Sequence, residues 1–160
     1  MGDTIMIIEN FNNFGQEARD IKEKLFSVLE NKEIAGVSAP ELNIPYKILA
    51  IKNYPGKPWM IAFNPRIVYS SDVVLAMHET CYSYPGLKVR INRPKSIRVR
   101  FADENGAINT LSMEDALARL FQHEMVHMEP DGIFWNDASY LHKNKAIKDW
   151  KALTRKLWRE

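Results

Sequence analysis

The sequence predicts an α+β domain in which short antiparallel strands wrap around a buried helix, with one helix before it and one after. Two observations carry this. Apolar residues recur at helical spacing over residues 18–29, 117–128 and 147–157. The stretch 47–111 instead breaks into short β-prone pieces punctuated by turn residues.

The elements follow in order. After an apolar opening, Ile5 to Ile8, Asn13 with Gln16 three residues later offers a capping signal for a first helix. Ala18, Ile21, Leu25, Val28 and Leu29 give that helix one apolar stripe, and it is expected to run to about Lys32. Gly36 to Pro45, with one glycine and two prolines, reads as a loop, and Lys47 to Lys52 as a short strand closed by the turn Pro55-Gly56. Met60 to Phe63 and Ile67 to Tyr69 are β-prone pieces interrupted at Asn64-Pro65, which suits an edge strand or a bulge. Val73 to Met77 is a further strand leading into Cys81.

Ile97, Val99 and Phe101 alternate with Arg98 and Arg100, so one face of that strand is buried, and Asn105-Gly106 turns it into a hairpin with Ala107 to Leu111. Ser112 with Asp115 resembles a capping box for a largely buried helix carrying Leu117, Leu120, Phe121, Met125 and Met128. Pro130 and Asp131-Gly132 stop it. From about Asn144 a last amphipathic helix places Ile147, Trp150, Leu153 and Leu157 on one side and Lys145, Lys148, Lys151, Arg155, Lys156 and Arg159 around them.

With 160 residues, of which 46% are apolar and 26% charged, the chain reads as a single domain over 1–160, large enough to bury a core without staples. The net charge of +2 excludes a global field that would commit it to DNA or a membrane. No apolar run approaches the roughly 20 residues of a membrane helix, and the start lacks the order of a signal peptide, so a cytoplasmic location is expected. Cys81 is the single cysteine, a free thiol that is either inert, reactive or a metal ligand.

The buried helix carries His123-Glu124-Met125-Val126-His127. Residues four apart share a helix face, so both imidazoles can meet one divalent ion while Glu124 stands ready to take a proton from a water there. A histidine on an apolar face is ordinarily just a core residue, but three defined residues in five positions outweigh that reading. A catalytic site needs a third protein ligand. The position used by some metalloproteases, six after the second histidine, is Ile133; downstream acids are Asp137, Asp149 and Glu160, and upstream stands Cys81.

The surroundings of Cys81 decide between them. Glu79-Thr80-Cys81-Tyr82-Ser83, followed by Pro85-Gly86, resembles the Glu-Gly-Cys-Leu-Ser and Pro-Gly motif of peptide deformylases. His123 to His127 matches that family's helix motif, Gly36-Val37-Ser38-Ala39-Pro40-Glu41 aligns with its Gly-Leu-Ala-Ala-Pro-Gln loop, and Asn64-Pro65 sits where the family often has Asn-Pro. The resemblance covers most of the chain.

It implies Cys81, His123 and His127 as ligands of one divalent metal, Fe(II) by family precedent, with Zn(II), Ni(II) and Co(II) compatible with the thiolate. Glu124 would shuttle the proton, and the activity implied is hydrolysis of the formyl group from N-formylmethionyl peptides. The oxyanion would be met by the backbone N–H of Tyr82. At the family's glutamine position stands Glu41, which accepts hydrogen bonds when ionised and donates only when protonated. Gly36 fits a close backbone approach to substrate. Ala35, Met77, Ala116 and Leu120 would line the methionine pocket, and Lys88 and Arg90 could steer the peptide. The basic C-terminal helix is expected to favour the ribosome. The alternatives are a catalytically weakened relative that binds formylated chains or the ribosome, and a small zinc endopeptidase.

Overall fold

The computed structural model describes residues 6–53, 56–81, 83–129 and 133–159. Helix α1 spans Gln16–Leu29 and buries Ala18, Ile21, Leu25 and Leu29, the expected stripe. Its cap differs from expectation. Gly15 occupies the N-cap at φ 107°, a conformation that favours glycine, and the Asn13 amide donates to the Glu17 carboxylate instead. The helix stops before Lys32 because the Glu30 and Asn31 amides fold back onto the Ser27 and Val28 carbonyls.

Residues expected to form a loop begin with strand β1, Gly36–Ser38, which pairs antiparallel with β2, Ile48–Ile51. Every residue of both strands is buried, so neither shows the alternation that marks a strand with one wet face. A 3-10 turn, Ala39–Leu42, connects them. Strand β3, Met60–Ser70, joins both β-prone pieces. It is the third of five strands rather than an edge, and Pro65 is tolerated because the register with its neighbour shifts there. Asn64, at φ 53°, closes this bulge by exchanging two hydrogen bonds with the backbone of Phe11, at 2.7 and 2.8 Å.

Strands β4, Val74–Cys81, and β5, Tyr84–Pro94, form a separate two-stranded sheet. The segment after Pro85-Gly86, which its turn residues mark as a loop, is a strand in which buried Leu87, Val89 and Ile91 alternate with exposed Lys88 and Arg90. Strands β6, Ser96–Ala102, and β7, Ile108–Glu114, make the expected hairpin around Gly106, completing the sheet order β1-β2-β3-β6-β7.

Because β7 runs through Ser112, no capping box forms there; helix α2, Asp115–Val126, starts directly from Glu114. Its apolar face packs Ala118 and Phe121 against Ile97, Val99 and Met113 of the larger sheet. It ends with His127 as C-cap, and Pro130 to Gly132 lie outside the described residues. A second 3-10 turn, Phe134–Asp137, leads to α3, Tyr140–Arg159, which starts four residues earlier than expected. α3 lies on β5, burying Ala146 and donating from Trp150 Nε1 to the Pro85 carbonyl at 2.7 Å. Among the described residues no helix is long and apolar enough to cross a membrane.

Candidate metal centre

The last residue of β4 and the last turn of α2 come together. Cys81 Sγ lies 3.4 Å from His127 Nε2, and one ligand atom from each of Cys81, His123 and His127 lies within 4.8 Å of the others. All three side chains are buried. A thiol and two imidazoles at this separation, largely shielded from solvent, are donors of the kind that suit a zinc- or iron-type ion.

Behind these three side chains sits a charge network that fixes the tautomer of His123. Alternation along β4 puts Glu79 on the same face as Cys81, and its Oε1 lies 2.9 Å from His123 Nδ1. Burial would raise the pKa of Glu79, but hydrogen bonds from His123 and Arg93 outweigh it and hold the carboxyl at about 2. An ionised carboxylate only accepts, so Nδ1 carries the proton and the Nε2 lone pair of His123 is left for a cation. Arg93 also reaches Asp137 at 3.0 Å, and Arg119 donates to Glu79.

Glu124 is 3% exposed, and its Oε2 is buried without a hydrogen-bond partner. Burial, then the neighbouring Glu41 carboxylate, pushes its pKa well above the ordinary value. Burial and Glu41 likewise push the Cys81 thiol up to about 12, against the Ser83 amide and hydroxyl that pull it down. A buried thiol facing two carboxylates is an arrangement that a divalent cation neutralises, so the residues present fit a metal.

Glu41 turns into this site, with its side chain 6% exposed. Its Oε1 accepts from the Ser38 amide at 3.0 Å and hydroxyl at 2.8 Å, its Oε2 accepts from the Ser83 hydroxyl at 2.7 Å, and its Oε1 lies 3.7 Å from His127 Nε2. Gly36 packs against α2 so closely that a Cβ would lie 2.9 Å from Leu120 and 3.0 Å from Glu124 Oε1. A cavity of about 110 Å³ opens beside Ala35, Gly36, Thr80, Cys81, His123 and Glu124.

Not every expected residue lies there. Met77 is 48% exposed on β4, and Ala116 is exposed at the start of α2. Lys88 and Arg90 line a different cleft, between β5 and α3, together with His78 and Trp150. Tyr82 lies outside the described residues. Asp137 is engaged by Arg93, and Asp149 pairs with Lys145 on the exposed side of α3; Glu160 lies outside the described residues. Glu79 and Ser83 entered the sequence reading only as members of the Cys81 motif, without a role, and Arg93 and Arg119 did not enter it. Two signals pointed to them: Glu79 is two residues from Cys81 on a strand, and Arg119 is one helical turn before His123.

The profile of the polypeptide deformylase family matches residues 5–144. The peptide deformylase of Borreliella burgdorferi is 30% identical over 146 residues, covering 89% of this chain and 86% of that protein. That of Microchaete diplosiphon is 30% identical over 115 residues, 70% of this chain and 62% of that protein. Among solved structures, Plasmodium falciparum peptide deformylase in complex with an inhibitor superposes with a TM-score of 0.81 at 27% identity, covering 94% of this chain and 93% of that one. The Synechococcus elongatus enzyme in complex with actinonin gives 0.81 at 25% identity, covering 92% and 83%.

Proposed function

This chain belongs to the polypeptide deformylase family, hydrolases that remove the N-formyl group from nascent peptides, and we propose that it does so as one domain over 1–160 with Cys81, His123 and His127 as metal ligands. The observation that carries this reading is the meeting of one thiol and two imidazoles from β4 and α2 in a buried pocket.

A bound divalent cation, Fe(II) by family precedent with Zn(II), Ni(II) or Co(II) as alternatives, supplies Lewis acidity, lowering the pKa of water and polarising a carbonyl oxygen. The chain's own residues do the rest. Glu124, whose Oε2 has no competing partner, takes a proton from the attacking water and hands it to the departing amine, leaving formate and a free N-terminus. Glu79 keeps His123 in the tautomer that presents Nε2. The Tyr82 backbone N–H is assigned to the oxyanion.

Glu41 accepts hydrogen bonds from Ser38 and Ser83, and its carboxylate, held by them beside Glu124, is assigned to keeping that side chain in place. β1 is the edge strand of its sheet and passes Glu124 at Gly36, which offers main-chain groups to an extended formylmethionyl peptide. Leu120 beside Gly36 is the apolar group assigned to the methionine side chain; Met77, exposed on β4, and Lys88, in the α3 cleft, take no part in this reading. We place the protein in the cytoplasm and assign the exposed Lys145, Lys148, Lys151, Arg155 and Lys156 of α3 to a salt-sensitive contact with the ribosome.

Formate release from formyl-Met-Ala-Ser by the anaerobic ferrous protein tests the reading. Wild type should be active, and Glu124→Ala should fall by about 10²–10⁴-fold with its metal retained. Glu41→Gln, which adds an amide donor toward the oxyanion, should gain activity by up to about 10²–10³-fold. Silence of all three proteins would exclude deformylation. Metal analysis should find about one ion per chain, and Cys81→Ala should lose most of it.

A further inference from the structure

Cys81 and the two histidines belong to parts of the fold that share no backbone ladder. Cys81 ends β4 in the two-stranded sheet, while His123 and His127 ride on α2, which packs on the five-stranded sheet. Their mutual placement therefore depends on what ties the β4–β5 hairpin to α2. The buried side chain of Arg119 makes that tie. It sits one turn before His123 on the same helix face and is 9% exposed. One terminal nitrogen donates to Glu79 Oε2, and the other donates to the Leu75 carbonyl of β4 at 2.6 Å and the Ile91 carbonyl of β5 at 3.1 Å.

We propose that Arg119 is a positioning residue for the metal centre, locking the hairpin that carries Cys81 onto the helix that carries His123 and His127. The planar guanidinium grips both strands and the carboxylate that orients His123, a set of acceptors that a single ammonium cannot span. Arg93 differs in what it joins. It bonds Glu79 and Asp137, so it braces the hairpin and the turn after α2 rather than the hairpin and α2. Gln122, donating to the Pro94 carbonyl at 3.0 Å, ties α2 to the far end of β5. Arg119 alone among the described guanidiniums reaches from α2 into both strands behind Cys81. Burying it without partners would be strongly unfavourable, and its acceptors all lie on the hairpin, so helix and hairpin must dock in one arrangement to satisfy it.

The inference rests on the three-ligand metal reading, and its test is read from the metal rather than from turnover. Metal-free wild type, Arg119→Met and Arg119→Lys are titrated anaerobically with Co(II), following the thiolate-to-cobalt charge-transfer band and the ligand-field bands, with thermal unfolding of each metal-free protein measured alongside. Arg119→Met should bind Co(II) about 10–100-fold more weakly, with a displaced or weakened thiolate band. Arg119→Lys should fall between it and wild type. Wild-type affinity with an unchanged spectrum in Arg119→Met, or in Arg119→Lys should Arg119→Met not fold, overturns the proposal. Failure of the deformylase reading looks different: wild type would show the thiolate band and release no formate.

Discussion

The two faces of α2 are held by opposite kinds of contact. Toward the five-stranded sheet it presents Ala118 and Phe121, packed among Leu49, Ile97, Val99 and Met113. Toward the β4–β5 hairpin it presents Arg119, Gln122 and His123, each engaged by a named oxygen. Apolar contact is non-directional and scales with area, whereas a buried hydrogen-bonded charge tolerates one geometry. The apolar seam therefore sets whether α2 is held, and the polar seam sets where Cys81 stands relative to the histidines.

Breaking the polar seam should have the largest consequences. Glu79→Leu strands Arg93 and Arg119 without their shared carboxylate and should cost about 3–5 kcal/mol in urea unfolding, because a buried charge loses its partner. It should also weaken metal binding by about 10–100-fold, as His123 loses its orienting acceptor. Damage to stability without damage to metal affinity would erase the distinction between the seams.

Breaking the apolar seam should act differently. Phe121, fully buried, should cost about 3–5 kcal/mol when changed to Ala. At a temperature where this variant is folded, its metal affinity should match wild type, because no ligand or orienting group has moved.

Acid sharpens the contrast, since only the polar seam titrates. The Glu79 pKa is about 2 in the folded chain and 4.5 ordinarily, so its contribution is complete above pH 4.5 and drains away as pH falls toward 2. Glu124 is shifted upward by burial and by Glu41, so in the metal-free protein its contribution is complete below pH 4.5 and is lost as pH rises through its folded pKa. Urea titrations of the metal-free protein across this range should show Glu79→Gln flattening the acid limb and Glu124→Gln flattening the decline on the other side. An acid limb unchanged in Glu79→Gln would mean that the network contributes nothing as a charge.

The smallest effect belongs to neither seam. Lys22 and Glu104, paired at 2.8 Å near the surface, should contribute about 0.2–1 kcal/mol, so Lys22→Met should barely shift the unfolding midpoint.

How far each element could be read follows from how locally its cause lies. The stripe of α1, the helix bearing His123 and His127, and the β6–β7 hairpin each rest on spacing within a dozen residues, and each formed. The alternation of Leu87, Val89 and Ile91 was equally local, but the glycine and prolines around it read as loop punctuation and β5 was missed. β1 carried no such pattern, because both of its faces are covered. The caps at Asn13 and Ser112 failed for a tertiary reason: the Gly15 amide donates to the Glu104 carbonyl at 3.0 Å and makes Gly15 the N-cap, and pairing with β6 holds Ser112 in a strand.

The candidate coordinating atoms can be read from residue order alone, two imidazoles and a carboxylate on one helix face and a thiol within a recognisable strand-end motif. That these atoms meet, that Glu41 turns inward, and that Glu79, Arg93 and Arg119 stand behind them follows from the packing of distant segments. A lone Glu or Arg in a sequence looks like a solvated side chain. It becomes a buried strut only when an oppositely charged partner, 14 or 40 residues away here, arrives to offset its desolvation.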